Sequence, residues 1–314
     1  MQPAMHALIA RWSTPQYRSI VVCIIYTGSD VGIIVGMFLT GVLCDHGFAG
    51  GWPSAFYVYG MVGCVWFVAW IFLCYNAPYT HPRISPAELE YWEREIGSED
   101  LSSHPPTPWR KILTSVPVWA LALAFFANNW GFFTLAICLP LYMHDVLGFD
   151  MTRNGAFSAV PFIASLMIPI FAILADWLRS PGRLSTTVVR KAFCVVGFIL
   201  PGCLLILMEY IGCDRTLAVA TLFAVVAFVG LAMTTVFVNQ LDLAPLHAGK
   251  IMGLTYTVAN LAAICAPLVV GALTYERSTR EEWQKVFFLS SGIYAVGAIV
   301  FLIFGSGERQ SWAD

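Results

Sequence analysis

The chain has 314 residues, of which 58% are hydrophobic and 11% are charged, and its formal net charge is −2. A soluble globular domain carries roughly 25% charged residues, so much of this apolar surface must face lipid, and the mean hydropathy of +0.72 agrees. The near-zero charge argues against a nucleic-acid partner. The nine cysteines include no C-x-x-C pair, so neither a disulfide framework nor a metal site is predicted.

Eight apolar segments are long enough to cross a bilayer, because a hydrocarbon layer ~30 Å thick requires about 20 helical residues. Open strands would leave backbone groups unpaired in lipid, so these segments are predicted to be helices. The predicted fold class is therefore all-α, a polytopic helical bundle. Residues 1–12 have the character of the end of one further helix. The predicted spans are residues 19–43, 54–75, 116–141, 155–175, 192–212, 216–238, 251–274 and 286–305.

One long connection divides the chain into residues 1–75, which hold two spans, and residues 116–314, which hold six. Within this connection, residues 76–115, the sequence Ser85-Pro-Ala-Glu88 has the pattern of a helix capping box. A short surface helix over about 86–97 is therefore predicted there.

Basic residues indicate the orientation of the bundle. The loops on one side carry twelve of the 17 Lys and Arg residues, and the loops on the other side carry the rest. Loops rich in Lys and Arg remain on the cytosolic side of a membrane. Both ends of the chain belong to the richer side and are predicted to be cytosolic.

A polar hinge, residues 239–250, joins the sixth and seventh predicted spans. Pro245 is expected to end a helix. Gly249 and Gly253 are expected to let the next helix begin close to a neighbour. Because the hinge is short, the two spans are predicted to pack against each other as antiparallel neighbours.

Four motifs occur together along the chain, namely Pro3-Ala-Met-His6, His81-Pro-Arg-Ile-Ser85, the hinge Asn239-Gln-Leu-Asp-Leu-Ala-Pro245 and Glu281-Glu-Trp-Gln284. With them the chain resembles the anion–cation symporter branch of the major facilitator superfamily, which includes the sialin, vesicular glutamate transporter and sodium–phosphate cotransporter group. The resemblance implies twelve helices in two halves, of which this chain would hold the end of helix 4 and helices 5 to 12, without the first three to four helices. It implies a secondary transporter, and no enzyme, that moves an organic or inorganic anion such as an acidic sugar. Protons or sodium would drive alternating access.

Asp30 lies in the middle of the first predicted span. A charged side chain at the centre of a span costs at least ~2.5–3.5 kcal/mol, so this carboxyl is protonated or faces water. We interpret it as a proton-coupling acid or cavity residue; the alternative is a neutral carboxyl bonded to a neighbouring helix. Gly28, Gly32 and Gly36 form a smooth helix face that predicts close packing, and Asp30 points away from it.

Five further side chains are candidates for substrate binding, namely Asn128 and Asn129 in the third span, Tyr256 and Asn260 in the seventh, and Tyr26 in the first. Tyr256 and Asn260 are four residues apart and share a helix face. Bonds between helices are the alternative role for each of them. The resemblance implies an arginine in glutamate-transporting relatives where Asn128 stands. Its absence disfavours a dicarboxylate substrate.

The turn formed by Asp176, Arg179, Arg183 and Arg190 resembles the acidic–basic turn with which this superfamily braces one conformation by ion pairing. The alternative is simple retention of positive charge on the cytosolic side. No catalytic motif and no spaced set of metal ligands is present in the sequence, so no cofactor is predicted.

A second functional hypothesis is a non-transporting truncated isoform that binds a full-length transporter. The predicted partners are a small anionic substrate, a coupling proton or sodium ion and the lipid bilayer, with an oligomer also open. The resemblance is compatible with the lysosomal, synaptic-vesicle and plasma membranes.

Overall fold

The computed structural model describes residues 2–14, 17–48, 50–96, 106–148, 163–180, 183–211, 214–274 and 279–313. Those residues form helices and connections and contain no strand, which confirms the predicted all-α class. In chain order the helices are α1 (Gln2–Trp12), α2 (Arg18–His46), α3 (Trp52–Leu73), α4 (Pro86–Ile96), α5 (Trp109–Thr114), α6 (Val116–Phe133), α7 (Leu139–Asp145), α8 (Ile168–Leu178), α9 (Thr186–Ile211), α10 (Arg215–Val236), α11 (Asn239–Leu243), α12 (Ala248–Thr274) and α13 (Arg280–Phe304).

Seven of the described helical segments are long and apolar enough to cross a membrane. They correspond to all the predicted spans except the fourth, residues 155–175. Residues 155–162 of that span lie outside the described residues. The remainder is a shorter apolar helix, Ala164–Leu178.

The core of the described bundle lies among α6, α9, α10, α12 and α13. Helix α9 packs between α10 and α13, and α6 packs against α12 and α13. Small residues bring these backbones together: a Cβ on Gly197 of α9 would lie 2.3 Å from the Ala232 backbone nitrogen of α10. Likewise, a Cβ on Gly297 of α13 would lie 2.7 Å from the Ala127 Cβ of α6. Close approach of this kind is how helices associate where lipid provides no hydrophobic drive.

Helices α1 and α2 attach to this core by separate contacts. Helix α1 packs against α12, α2 packs against α8, and α3 packs chiefly against α2. The apolar window of α3 has no buried residue among those described, so lipid is the solvent that suits its surface. The close packing predicted at Gly28 and Gly32 is not observed, since no described atom lies within 4 Å of a Cβ placed there. Only Gly36 meets α3, where its carbonyl accepts from the Tyr59 hydroxyl at 2.8 Å.

The polar hinge folds differently from the prediction. It forms α11 and a short 3-10 turn, Pro245–His247, and the spans on either side turn to different neighbours. Helix α10 packs chiefly on α9, whereas α12 packs chiefly on α6, so the predicted direct packing of these two spans is wrong. Gly249 does permit a close approach, but its neighbour is α1: a Cβ there would lie 2.6 Å from the Pro3 carbonyl oxygen.

The long connection packs against the end of α1. The Ser85 hydroxyl accepts from the Glu88 backbone nitrogen at 3.2 Å, which confirms the predicted cap of α4. The Trp12 indole donates to the Tyr75 carbonyl oxygen at 3.0 Å, and its ring meets the edge of Trp92 at a centroid distance of 6.3 Å. The residue just before the connection and α4 within it are therefore both held against the end of α1.

Candidate functional site

A cavity of about 130 Å³ lies between α2, α6, α10 and α12. Tyr26 and Asp30 reach it from one face of α2, because residues four apart in a helix share a face. Asn128 and Asn129 reach it from α6 and Tyr256 from α12. The structure thus brings five of the six predicted substrate and coupling residues into one space. The polar residues that line it are Gln2, Tyr26, Ser29, Asp30, Asn128, Asn129 and Tyr256.

Asn260 does not join this group. Its side-chain amide donates to the Tyr256 carbonyl oxygen at 2.7 Å, within α12. It lies outside the described lining of the cavity. This bond lies within one helix, so neither the predicted cavity position nor the alternative bond to another helix is observed among the described contacts, and a role in substrate binding stays a prediction.

Asn128 is 1% exposed, and neither its amide nitrogen nor its oxygen has a hydrogen-bond partner among the described residues. The Gln2 side-chain oxygen, also at the cavity, lacks one as well. Leaving a buried polar group unpaired costs about 1–3 kcal/mol. Native proteins accept such a cost at sites where a ligand or water supplies the missing bonds.

Asp30 stands between this cavity and a smaller one of about 30 Å³. Asp30 is 7% exposed, and its carboxyl bonds the side chain of Ser165, in the described part of the fourth predicted span. Tyr294 lines the smaller cavity, whose other walls are mainly apolar. Among the described residues that line the two spaces, Asp30 is the one acidic side chain and none is Lys or Arg. An anion entering here meets a negative charge unless Asp30 is protonated.

Helix α6 changes its winding just beyond the cavity. Residues Thr134–Cys138 form a π-helical turn before α7 begins. Pro140 has no backbone N–H to donate to Ala136, four residues earlier, which favours a local departure from α-helical bonding. Such turns are frequent at functional sites, and this one follows the two asparagines by little more than one turn.

The second polar cluster lies at the end of the bundle predicted to face the cytosol. Arg190 is 1% exposed, and its guanidinium makes three bonds. It donates to the Asp242 carboxylate at 2.8 Å, to the Thr234 carbonyl oxygen at 2.9 Å and to the Ser19 hydroxyl at 2.9 Å. Because Ser19 belongs to α2, Asp242 to α11 and Thr234 to α10, this one side chain joins four helices.

Arg179 extends the cluster toward α8. Its guanidinium reaches Asp242 and Asp176 at 3.4 Å each, and the Asp176 carboxylate accepts from the Ile20 backbone nitrogen at 3.2 Å. A carboxylate at the first turn of α2 also suits the positive end of that helix. Burial lowers the pKa of the Arg179 guanidinium, and the charge of Arg190 lowers it further. The two acids and two bases thus form one compensated network.

Arg183, the fourth predicted member, takes no part in this network. Its guanidinium lies 3.8 Å from the centroid of the Trp177 ring and donates to the Trp177 carbonyl oxygen at 3.2 Å. The side chain is exposed, as a residue at the membrane surface should be. Arg183 thus lies outside the ion-pair network among the described contacts, and a bracing role for it stays a prediction.

Comparison with known proteins identifies the fold and the family. Residues 1–257 match the family model of the Major Facilitator Superfamily. The chain belongs to this superfamily. Its structure resembles that of the proton:xylose symporter XylE bound to 6-bromo-6-deoxy-D-glucose, with a TM-score of 0.67 over 98% of this chain and 68% of that one. At 13% sequence identity this likeness concerns the fold alone, and it confirms the predicted superfamily bundle.

Two curated relatives are similar to this chain over nearly its whole length. Vesicular glutamate transporter 3 of Danio rerio is 41% identical over 99% of this chain and 53% of its own length. Sialin of Ovis aries is 39% identical over 99% of this chain and 62% of its own length. The predicted resemblance to this group is confirmed. The chain spans about half to two thirds of the length of these relatives.

Two residues of this superfamily member escaped the sequence reasoning. Asp242 was not among the candidate site residues, yet its side chain is 5% exposed and pairs with both Arg179 and Arg190. His6 was not among them either, yet it is fully buried and bonded to Tyr26. Both partners are remote in sequence, so only the folded packing brings them together.

Asn128 permits a direct test of the cavity. Asn128→Leu should raise the free energy of unfolding by about 1–3 kcal/mol, because it removes unpaired amide atoms, and should weaken binding of the transported anion. Asn239→Leu is the matched control: only the oxygen of that buried amide lacks a described partner, while its nitrogen donates to the Ser306 carbonyl oxygen at 3.0 Å, so this substitution should not give the stabilisation expected of Asn128→Leu. Thermal unfolding in detergent, with and without added anion, measures both effects. Destabilisation by Asn128→Leu would show that its amide is satisfied within the protein.

Proposed function

We propose that this chain forms the substrate cavity and one complete six-helix half of a secondary transporter, which moves a small anion together with a proton by alternating access. The observation that carries the proposal is the convergence of Tyr26, Asp30, Asn128, Asn129 and Tyr256 on one cavity. Transporters of related design bind substrate near the bilayer midplane, between two bundles. The cavity wall contributed by α2 faces the walls contributed by α6, α10 and α12.

The domain division follows from this proposal. Residues 1–75 would belong to the N-terminal bundle, residues 76–115 to the cytosolic connection and residues 116–314 to the C-terminal bundle. Both ends of the chain would face the cytosol, in line with the distribution of Lys and Arg. The connection packs on the end of α1 through Trp12, which supports its place beside the first of these bundles.

The proposed substrate is a small monovalent anion rich in hydroxyl or carboxylate oxygens, such as an acidic sugar. The name of one relative, Vesicular glutamate transporter 3, refers to an anion, and the described cavity offers amide and hydroxyl groups in place of a guanidinium. Asn128 supplies one amide where a bidentate arginine fork would hold a second carboxylate. The aromatic rings of Phe132, Phe133 and Phe237 complete the walls and suit the apolar face of a sugar ring.

The coupling ion we propose is a proton carried by Asp30. Bound metal cations are usually held by several oxygen ligands, whereas the smaller cavity beside Asp30 has mainly apolar walls apart from Ser165 and Tyr294. Protonation removes the negative charge that an incoming anion would meet. Anion and proton are therefore best accommodated together, which is the requirement for symport.

The Arg190–Asp242 network would hold one of the two alternating conformations. It joins α2, assigned above to the first bundle, to α9, α10 and α11 of the second at the end of the molecule predicted to face the cytosol. Breaking it would let the cytosolic ends separate. The chain would then release substrate and proton on that side.

Uptake into proteoliposomes tests the proposal. The purified chain is reconstituted, and accumulation of radiolabelled glucuronate, L-glutamate and inorganic phosphate is followed with an imposed pH gradient, with a sodium gradient and with neither. We expect accumulation of glucuronate driven by the pH gradient and weak uptake of glutamate. Uptake driven by sodium alone would refute the proton assignment, and absence of uptake for all three anions would contradict transport by this chain.

A second function, association with a complete transporter, is supported by the exposed apolar surface of α3. It predicts that co-expression of this chain with a full-length relative lowers the uptake by that relative. Co-purification and uptake measured at several expression ratios test this. Undiminished uptake at a high ratio would exclude an inhibitory partner role.

A further inference from the structure

A buried histidine stands directly behind one of the cavity hydroxyls. The Nε2 atom of His6 lies 3.1 Å from the Tyr26 hydroxyl oxygen, and His6 is fully buried. Tyr26 itself is 8% exposed and lines the cavity. The contact crosses from α1 to α2, so the imidazole is placed to control how this hydroxyl is presented.

Packing holds both partners in place. Helix α1 lies against α12 so closely that a Cβ on Gly249 would meet the Pro3 carbonyl oxygen at 2.6 Å. The Tyr26 ring lies on Phe237 with centroids 4.0 Å apart. The ring positions are therefore set by the surrounding helices, and the hydrogen bond between them acts on fixed groups.

The unused ring nitrogen indicates which way this hydrogen bond runs. Nδ1 of His6 has no hydrogen-bond partner among the described residues. Burial disfavours an imidazolium, and a neutral ring carries one N–H. Placing that proton on Nδ1 would leave a buried N–H donor with no acceptor. Buried donors without a partner are rarer in proteins than buried acceptors without one. Placing it on Nε2 gives it the Tyr26 oxygen.

We propose that His6 is a positioning residue, whose Nε2–H donates to the Tyr26 oxygen and so directs the Tyr26 O–H into the cavity as a donor to a substrate oxygen. This inference rests on the proposed function, because it gives Tyr26 a substrate to bind. Accepting a bond from His6 polarises the hydroxyl and strengthens the bond that it donates. The cavity then recognises an anion through aligned neutral donors, of which the Asn128 amide is the second.

The direction of the bond is tested without transport. The complete chain, labelled with ¹⁵N-histidine, is placed in lipid nanodiscs, and the His6 signals are identified by their loss in His6→Gln. We expect a neutral ring protonated at Nε2. A proton on Nδ1, or on both nitrogens, would overturn the proposal even if uptake proceeds as described above.

Uptake kinetics test the consequence. His6→Leu removes the donor, and Tyr26→Phe removes the hydroxyl; each should raise the KM for glucuronate about tenfold, the effect of one lost hydrogen bond, with the maximal rate unchanged. The double variant should show no further increase. His6→Gln keeps an N–H donor and should stay within about threefold of the unmodified chain.

Ile9→Ala is the matched control, because Ile9 is a buried residue of the same helix that lacks a polar group. It should lower thermal stability and leave KM unchanged. Independent, multiplying effects of the two substitutions, or equal damage by Gln and Leu at position 6, would refute the positioning role. If the unmodified chain takes up no anion, the proposed function fails, and the nitrogen spectrum alone decides the direction of the bond.

Discussion

Replacing Asp30 with asparagine should abolish the response of uptake to a pH gradient while the anion still binds. The amide has nearly the shape of a protonated carboxyl and stays neutral at every pH. The cavity would then accept the anion without a proton. Accumulation against a concentration gradient should disappear, and exchange of labelled for unlabelled anion across the proteoliposome membrane should persist. Both are measured in the same preparation, so loss of folding is distinguished from loss of coupling.

The size of the effect follows from the position of the carboxyl. Two like charges about 6 Å apart repel by about 3 kcal/mol at an effective dielectric constant near 20, which corresponds to roughly a hundredfold weaker binding. Asp30 is 7% exposed, so solvent screens it weakly. In the unmodified protein, affinity for the anion should therefore fall steeply as Asp30 loses its proton. In Asp30→Asn this fall should be absent.

Glu281→Gln is the matched control for this experiment. It also converts a carboxylate to an amide, but at an exposed position in the first turn of α13. Gradient-driven accumulation should be unchanged. An Asp30→Asn protein that still accumulates anion in response to a pH gradient would show that the proton is carried elsewhere.

The sequence predicted the membrane spans well, because bilayer thickness imposes a length on every apolar helix. The cap at Ser85 was predictable for a similar reason, since both of its partners lie within one turn. Asp30, Asn128 and Tyr256 were identifiable as candidates because polar groups inside a span need a partner or water. Each of these inferences depends on local residues and on the solvent alone.

Packing between distant helices could not be predicted in this way. Nothing in the hinge indicates that α12 turns away from α10 to pack on α6, so the short connection suggested the wrong neighbour. The same holds for Asp242, which looks like a hydrated surface charge until Arg190, 52 residues earlier, is folded against it. Arg183 is the opposite case, because its place in the basic turn suggested an ion pair, whereas its guanidinium lies over the Trp177 ring.

Removing the Asp242 carboxylate should open the cytosolic end of the bundle. Asp242→Asn leaves Arg190 buried without the carboxylate that it contacts at 2.8 Å, and breaking a buried pair in this way costs about 3–5 kcal/mol. If the network forms in one conformation only, a change of this size shifts the balance between the two conformations by more than a hundredfold. Spin labels at Tyr17→Cys and Leu184→Cys, exposed positions near the cytosolic ends of α2 and α9, should report a longer and broader distance distribution.

Arg183→Gln provides the comparison, because it removes a basic residue of the same turn that takes no part in the network. Its loss affects a cation–π contact worth about 0.5–1 kcal/mol at an exposed site, so the distance distribution and the rate of uptake should both remain those of the unmodified chain. An unchanged distribution in Asp242→Asn would mean that the network stabilises the fold in both conformations alike. In that case the thermal unfolding temperature would fall, and the rate-limiting opening would have to be sought in contacts between other helices.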